Sequence, residues 1–256
     1  MDIQILGAHN CESLKSRLIS LLIDEVLAID AGSLTSSLSF EAQQKLKALL
    51  ITHEHYDHIR DIPAISMNFY LEKATINVYA PQSVYDTLST HLLNGLVYPK
   101  FLEKPENKPT IRFTVIEPGK SEQIEGYSVL ALPVNHSIPA VGYQVTSPDG
   151  KVVFYTGDCG PGLTDCWQHI SPQLLIVEVT ASDRFKEAAG NRGHLTPALL
   201  KQELIAFREL NGYLPQVITV HMSPGLEAEI EAEIATLAAA LNSPISLAYE
   251  GMRLHL

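Results

Sequence analysis

The sequence predicts an α/β protein in which two central sheets pack together and helices cover the outside. Two observations carry this expectation. Many segments are short, partly continuous apolar runs bounded by turn residues, as in strands buried on both faces. The helical segments between them carry a single apolar stripe each, so each covers a sheet from one side only. With 256 residues, 46% of them apolar, and a mean hydropathy of +0.07, the chain can bury a large core. No internal repeat, low-complexity tract or linker divides it, and one domain over residues 1–256 is expected.

Taken in order, strands are expected at Ile3–Leu6, Leu18–Ile23, Val26–Ile29 and Ala48–Thr52, with a short helix around Phe40–Leu46. A helix from about Ile62 to Tyr70 follows, then a strand at Ile76–Ala80. Pro81 suits a helix first turn, and Val84, Leu88 and Leu92 recur at i, i+4 and i+8. The second half offers strands at Ile111–Ile116, Tyr127–Pro133, Ala140–Thr146, Lys151–Thr156, Leu174–Val179 and Val217–Val220. One helix is expected to start at Thr196 as N-cap with Pro197 at its first position, bury Leu200, Leu204 and Phe207, and stop at Asn211-Gly212. Another starts at Ser223-Pro224 and places Leu226, Ile230, Ile234, Leu237 and Leu241 on one stripe.

Charge and cysteine usage narrow the partners. A net charge of −11, from 18 Lys+Arg against 29 Asp+Glu, makes a basic face for a long polyanion hard to assemble. A small anionic substrate remains compatible, because bound divalent cations supply local positive charge. No apolar run reaches the roughly 18 residues needed to span a bilayer, and the N-terminus has no basic segment of a signal peptide. Cys11, Cys159 and Cys166 form neither a metal-spaced pair nor an even-numbered framework, which fits a reducing, cytoplasmic setting.

The chemistry concentrates in Thr52-His53-Glu54-His55-Tyr56-Asp57-His58, directly after a buried strand. Extended backbone throws His53 and His55 to one side, and the following turn swings Asp57 and His58 to another. Two ligand clusters from one loop point to two metal ions side by side. Three more ligand-type residues lie just past apolar strands: His136, Asp158 after the turn-permitting Gly157, and His221. That is the pattern of a sheet presenting its loops to one cleft.

These residues resemble the metallo-β-lactamase superfamily over nearly the whole chain: an H-x-H-x-D-H heptad, then His, Asp and His at strand ends. The resemblance implies a four-layer αβ/βα sandwich with the site at the sheet edges. It implies that His53, His55 and His136 hold one metal, that Asp57, His58 and His221 hold the second, and that Asp158 bridges them. Asp30, in Ile29-Asp30-Ala31-Gly32, matches an early strand-end aspartate that ties the histidine loop in place; as a bare sequence feature it is also an ordinary turn residue. The metals are expected to be zinc, with manganese and iron also suited to this N/O set. Two such ions roughly 3.5–4 Å apart lower the pKa of a shared water, leaving hydroxide available near neutral pH, and take up charge on the oxygen under attack.

Glu178, after Leu175-Ile176-Val177, and His194, in Gly193-His194-Leu195-Thr196-Pro197, resemble the phosphodiesterase side of the superfamily. The resemblance makes His194 a general acid or phosphate contact and Glu178 the group that orients its ring; the alternative is a capping acid and a surface histidine. Further segments, Leu93–Phe101, Pro133–Tyr143 and Thr156–Pro161, resemble the class II cyclic-nucleotide phosphodiesterases. Asn94, Tyr98 and Phe101 are accordingly either substrate-binding residues, the two rings stacking a base, or parts of a packed connecting loop. One departure follows His58: Asp61, two residues before Pro63, disfavours an anionic substrate if it points into the site and is neutral in effect if it pairs with Arg60.

The expected function is hydrolysis of a small phosphodiester, foremost a 3′,5′-cyclic nucleotide to its 5′-monophosphate, with Asp57, Glu178 and His194 in the catalytic machinery. The alternatives are a tRNA 3′-processing endonuclease and a lactone or thioester hydrolase. A diiron redox module fits less well, because that branch prefers glutamate where His55 stands. Expected partners are the small phosphodiester and further copies of this chain, with no long nucleic acid and no membrane.

Overall fold

Alternate burial along the strands explains the layering. Leu21 and Ile23 turn to one side of their strand and Leu22 to the other, and all three are buried. Leu27 and Ile29 oppose Ala28 in the same way, as Ala48 and Leu50 oppose Leu49. A sheet buried on both faces needs a layer on each side.

The computed structural model describes residues 1–256. Seven strands form the first sheet: β1 (Asp2–Gly7), β2 (Ser20–Ile23), β3 (Leu27–Ile29), β4 (Ala48–Leu50), β5 (Ile76–Ala80) and β6 (Ile111–Val115), with the last strand of the chain, Arg253–His255, beside β1. The second sheet is built from β7 (Ser121–Ile124), β8 (Tyr127–Val134), β9 (Ala140–Thr146), β10 (Val152–Tyr155), β11 (Leu174–Glu178), β12 (Gln216–Val220) and β13 (Ile245–Leu247), in reverse spatial order from β13 to β7. In each sheet four adjacent strands run parallel, β3 to β6 and β10 to β13.

The larger apolar cluster lies between the sheets, where Ile5, Leu21, Ile29 and Leu50 face Val129, Tyr143, Val145 and Tyr155. It continues through the second sheet, by way of Phe154 against Trp167, to Leu200, Leu204, Phe207, Ile230 and Ile234 on the outer helices. A second cluster joins Leu22, Leu49, Ile51 and Val78 of the first sheet to Ile62, Ile65, Phe69 and Val84. The layers are therefore helix, sheet, sheet, helix, as the sequence predicts. No helix is long and apolar enough to cross a membrane.

Three short or polar strands have no signal in the sequence. Only Ile124 is buried along Ser121–Ile124, so no alternation marks it, and Ile245–Leu247 and Arg253–His255 have three residues each. The helix expected after Pro81 is present as Gln82–Thr87 but widens into a π-turn at Leu88–Leu92.

The capping of the Pro197–Asn211 helix also departs from expectation. Thr196 occupies the N-cap position with extended backbone, yet its hydroxyl makes no capping bond and is buried without a partner. Asp183 instead accepts from the Ala198 N–H at 2.7 Å, reaching in from a neighbouring turn. Asp183→Ala should lower unfolding free energy by about 1 kcal/mol in urea titrations, and Thr196→Val should cost nothing measurable. The reverse ranking would restore Thr196 as the cap.

Candidate metal centre

The ligand loops leave the carboxyl ends of strands. The histidine loop follows β4, His136 follows β8, Asp158 follows β10, Glu178 ends β11 and His221 follows β12. Main-chain bonds then stitch these loops together: Val141 N–H to Thr52 O at 3.1 Å, Gly160 N–H to Asn135 O at 2.6 Å, and Thr180 N–H to Leu195 O at 3.1 Å. Gly193, at φ +77°, lets the His194 loop approach; a Cβ there would lie 2.7 Å from the His136 Cα.

Two clusters result. In the first, His55 Nδ1 lies 3.1 Å from His53 Nε2 and 3.2 Å from His136 Nε2. In the second, His221 Nε2 lies 3.0 Å from Asp57 Oδ2 and 3.3 Å from Asp158 Oδ1, and His58 Nε2 lies 3.2 Å from the same Asp158 oxygen. Asp158 belongs to both: its other oxygen, Oδ2, is 3.8 Å from His53 Nε2 and 3.9 Å from His136 Nε2.

The far side of each ring fixes which nitrogen faces the cluster. Asp30, buried at φ +58°, accepts from the Thr52 N–H at 2.9 Å and the Tyr155 hydroxyl at 3.0 Å, and lies 2.8 Å from His58 Nδ1. The Thr52 hydroxyl donates to Asp30, so His53 Nδ1 donates to that hydroxyl, 3.0 Å away. His136 Nδ1 donates to Gly193 O at 2.9 Å. The Thr180 hydroxyl donates to Glu178 at 2.9 Å and so accepts from His221 Nδ1, also at 2.9 Å. With Nδ1 so engaged, all four rings turn Nε2 inward, where it is a lone pair in the neutral ring.

This donor set fits two cations. His55 Nδ1 has one proton at most and faces two such lone pairs. His58 Nε2 and Asp158 Oδ1 are buried without hydrogen-bond partners. Burial holds His53 well below the ordinary histidine pKa, which keeps its lone pair free. Burial opposes ionisation of Asp158, but positive charge on the His221 and His58 rings, where a metal ion's charge would stand, holds its carboxyl well below the usual range. The two clusters form a His/Asp site suited to a dinuclear metal centre.

Beside the second cluster, His194 Nδ1 donates to the fully buried Glu178 carboxylate at 2.8 Å, leaving Nε2 without a protein partner. Burial pulls the His194 imidazolium down, but Glu178 more than offsets this and raises it to about 9. A cavity of about 610 Å³ opens over Asp57, Asp158, His194 and His221.

The connecting-loop residues fall elsewhere. Phe101 is 1% exposed and packs on Tyr70 and Tyr98, so its ring is core and cannot stack a base. Asn94 closes its own turn by accepting from the Leu96 and Val97 N–H groups, and neither it nor Tyr98 lines the cavity. Asp61 points away from the metals: it accepts from the Thr35 N–H at 2.7 Å and from Arg60 Nε at 2.9 Å. Asn10, Cys11, Glu12, Tyr56 and Arg60 also line the cavity, and the sequence gives none of them a role toward a substrate. Tyr56 sits inside the heptad, and its signal was an aromatic ring with no place in the ligand pattern.

The profile of the β-lactamase superfamily domain matches residues 21–222, and this chain belongs to that superfamily. Among curated relatives, the ribonuclease Z of Pyrococcus abyssi is 30% identical over 137 residues, covering 51% of this chain and 41% of that protein. This chain thus spans less than half the length of that relative. Unliganded yeast PDE1 superposes with a TM-score of 0.85 at 18% identity, covering 100% of this chain and 99% of the other. The short form of human tRNase Z gives 0.71 at 21% identity, covering 100% and 99%. At such identities these two structures establish the shared fold.

Zinc competition titrations should find two ions per chain. Asp30→Asn, which places an amide against the His58 Nδ1–H, should weaken the looser ion roughly 10- to 100-fold without changing the stoichiometry. Unchanged affinity would mean that Asp30 does not position His58.

Proposed function

We propose that this protein is a metal-dependent phosphodiesterase that hydrolyses a small phosphodiester, foremost a 3′,5′-cyclic nucleotide to the 5′-monophosphate. The observation that carries the reading is the Glu178–His194 pair beside the second cluster. Thioester hydrolysis needs the metal ligands but expels a thiolate that requires no proton, whereas the alkoxide leaving a phosphodiester requires one. His53, His55, His136 and Asp158 would hold one ion, and Asp57, His58, His221 and Asp158 the other. Two divalent cations bound there would make water acidic near neutral pH and neutralise charge developing on the phosphoryl oxygens.

The side chains do the rest. Glu178 accepts from His194 Nδ1, fixes the ring and favours its protonated form, so that Nε2–H is the proton available to a leaving alkoxide. Thr180 ties this pair to His221 through one hydroxyl, coupling the orientation of the acid to that of a ligand. Asp57, with about a quarter of its side chain exposed at the cavity floor, is the ligand nearest to solvent in its cluster and would orient attacking water.

The ribonuclease Z relatives and the human tRNase Z fold match favour a second reading, cleavage of a tRNA 3′ trailer. It shares the metals and the Glu/His pair. The charge of −11 supports the small substrate instead.

Zinc- or manganese-loaded protein should convert 3′,5′-cyclic AMP to 5′-AMP and cleave bis(p-nitrophenyl) phosphate. His194→Ala should lower kcat on cyclic AMP by roughly 10²- to 10⁴-fold, with far less effect on the p-nitrophenyl diester, whose leaving group needs little protonation. Equal losses on both would remove His194 as the acid. No turnover of either by the metal-loaded wild type would overturn the phosphodiesterase reading, and turnover of precursor tRNA alone would install the second.

A further inference from the structure

Within the heptad, every side chain but one has a partner. Thr52 bonds Asp30, Glu54 accepts from Ser83, and the three histidines and Asp57 form the clusters. Tyr56 has none. Its side chain is 65% exposed, no aromatic ring packs on it and its hydroxyl makes no hydrogen bond within the chain. Yet it lines the same cavity as His55, Asp57, Asp158, His194 and His221. The helical turn Tyr56–Ile59 explains this placement: His58 and Ile59 face inward, which leaves Tyr56 and Arg60, four residues apart, on the cavity side.

Charge on this wall selects what the ring can meet. Arg60 donates from Nε to Asp61 and from its terminal nitrogen to Glu12. One guanidinium therefore stands against two carboxylates, and none of its charge is left for a second phosphate. The wall is also fixed in place: Asn10 N–H donates to Met222 O, and His9, buried beneath it, lies 2.6 Å from Glu250. What it offers a ligand is a largely exposed phenol ring beside a neutral-to-acidic rim.

We propose that Tyr56 is a specificity-determining residue of this site, its phenol ring stacking on the heterocyclic base of a mononucleotide whose phosphate lies at the metal clusters. The proposal rests on the phosphodiesterase reading and adds to it the part of the substrate that does not react. The cavity, at about 610 Å³, is of the size that takes one small ligand. Base-on-aromatic stacking tolerates any base, so the ring selects nucleotides over sugar phosphates without choosing between purines.

Calorimetric titration of zinc-loaded protein with 5′-AMP and with ribose 5-phosphate separates the ring's contribution from that of the phosphate. The wild type should bind 5′-AMP about tenfold or more tightly than ribose 5-phosphate. Tyr56→Ala should bring the two within about twofold while leaving ribose 5-phosphate affinity and zinc stoichiometry unchanged, and Tyr56→Phe should keep the preference. A preference that survives Tyr56→Ala would overturn the proposal, as would a wild type without any preference or a parallel loss of ribose 5-phosphate binding. Failure of the phosphodiesterase reading would show separately, as absent turnover of bis(p-nitrophenyl) phosphate by the wild type.

Discussion

The structure turns on one buried carboxylate. Asp158 is 1% exposed, carries an oxygen toward each ligand cluster, and has one of them, Oδ1, without a hydrogen-bond partner. A carboxylate removed from water is tolerated only where opposite charge or strong donors replace its hydration. As neutral rings the imidazoles around it offer it no donor, because four of them commit their one proton through Nδ1 to Asp30, Thr52, Gly193 and Thr180. Two cations satisfy both facts together, with carboxylate and lone pairs as ligands and no donor required. The fold's two-sheet edge exists, in this account, to hold those atoms close enough.

Two hydroxyls act as hubs in that arrangement. Thr52 connects Asp30 to His53, and Thr180 connects Glu178 to His221 and lies 3.2 Å from His194. Each hydroxyl gives its single proton to a carboxylate and receives one from a ring, which sets the tautomer. Backbone strain is stored in the same places: Asp30 and His221 both have positive φ, an uncommon state for residues with a Cβ, at the ends of strands where ligands turn into the cleft. Packing of the sheets must offset that cost.

Most of this was legible because ligand chemistry and strand burial both leave marks in the sequence. The runs before His53, Asp158 and His221 are apolar but for threonine and glycine, since both faces of their strands are covered. Ligand spacing within the heptad follows from extended backbone and one turn. What was illegible depended on three-dimensional partners. The Asp183 cap comes from outside its helix, and Asp61 is turned away by Thr35, 26 residues earlier. Phe101 reads as an available ring until Tyr70 and Tyr98 are seen against it. The cavity mouth escaped because Glu12 and Arg60 meet across 48 residues, and no periodicity announces such a pair.

The shared Asp158 carboxylate is the central claim, and electron paramagnetic resonance of protein loaded with two equivalents of manganese(II) addresses it most directly. Ions joined through one carboxylate are exchange-coupled, so the spectrum should show the closely spaced multiline pattern of a coupled pair, collapsing to isolated-ion signals in Asp158→Ala. Two uncoupled six-line centres in the wild type would contradict the account, because the clusters would then be separate sites rather than one.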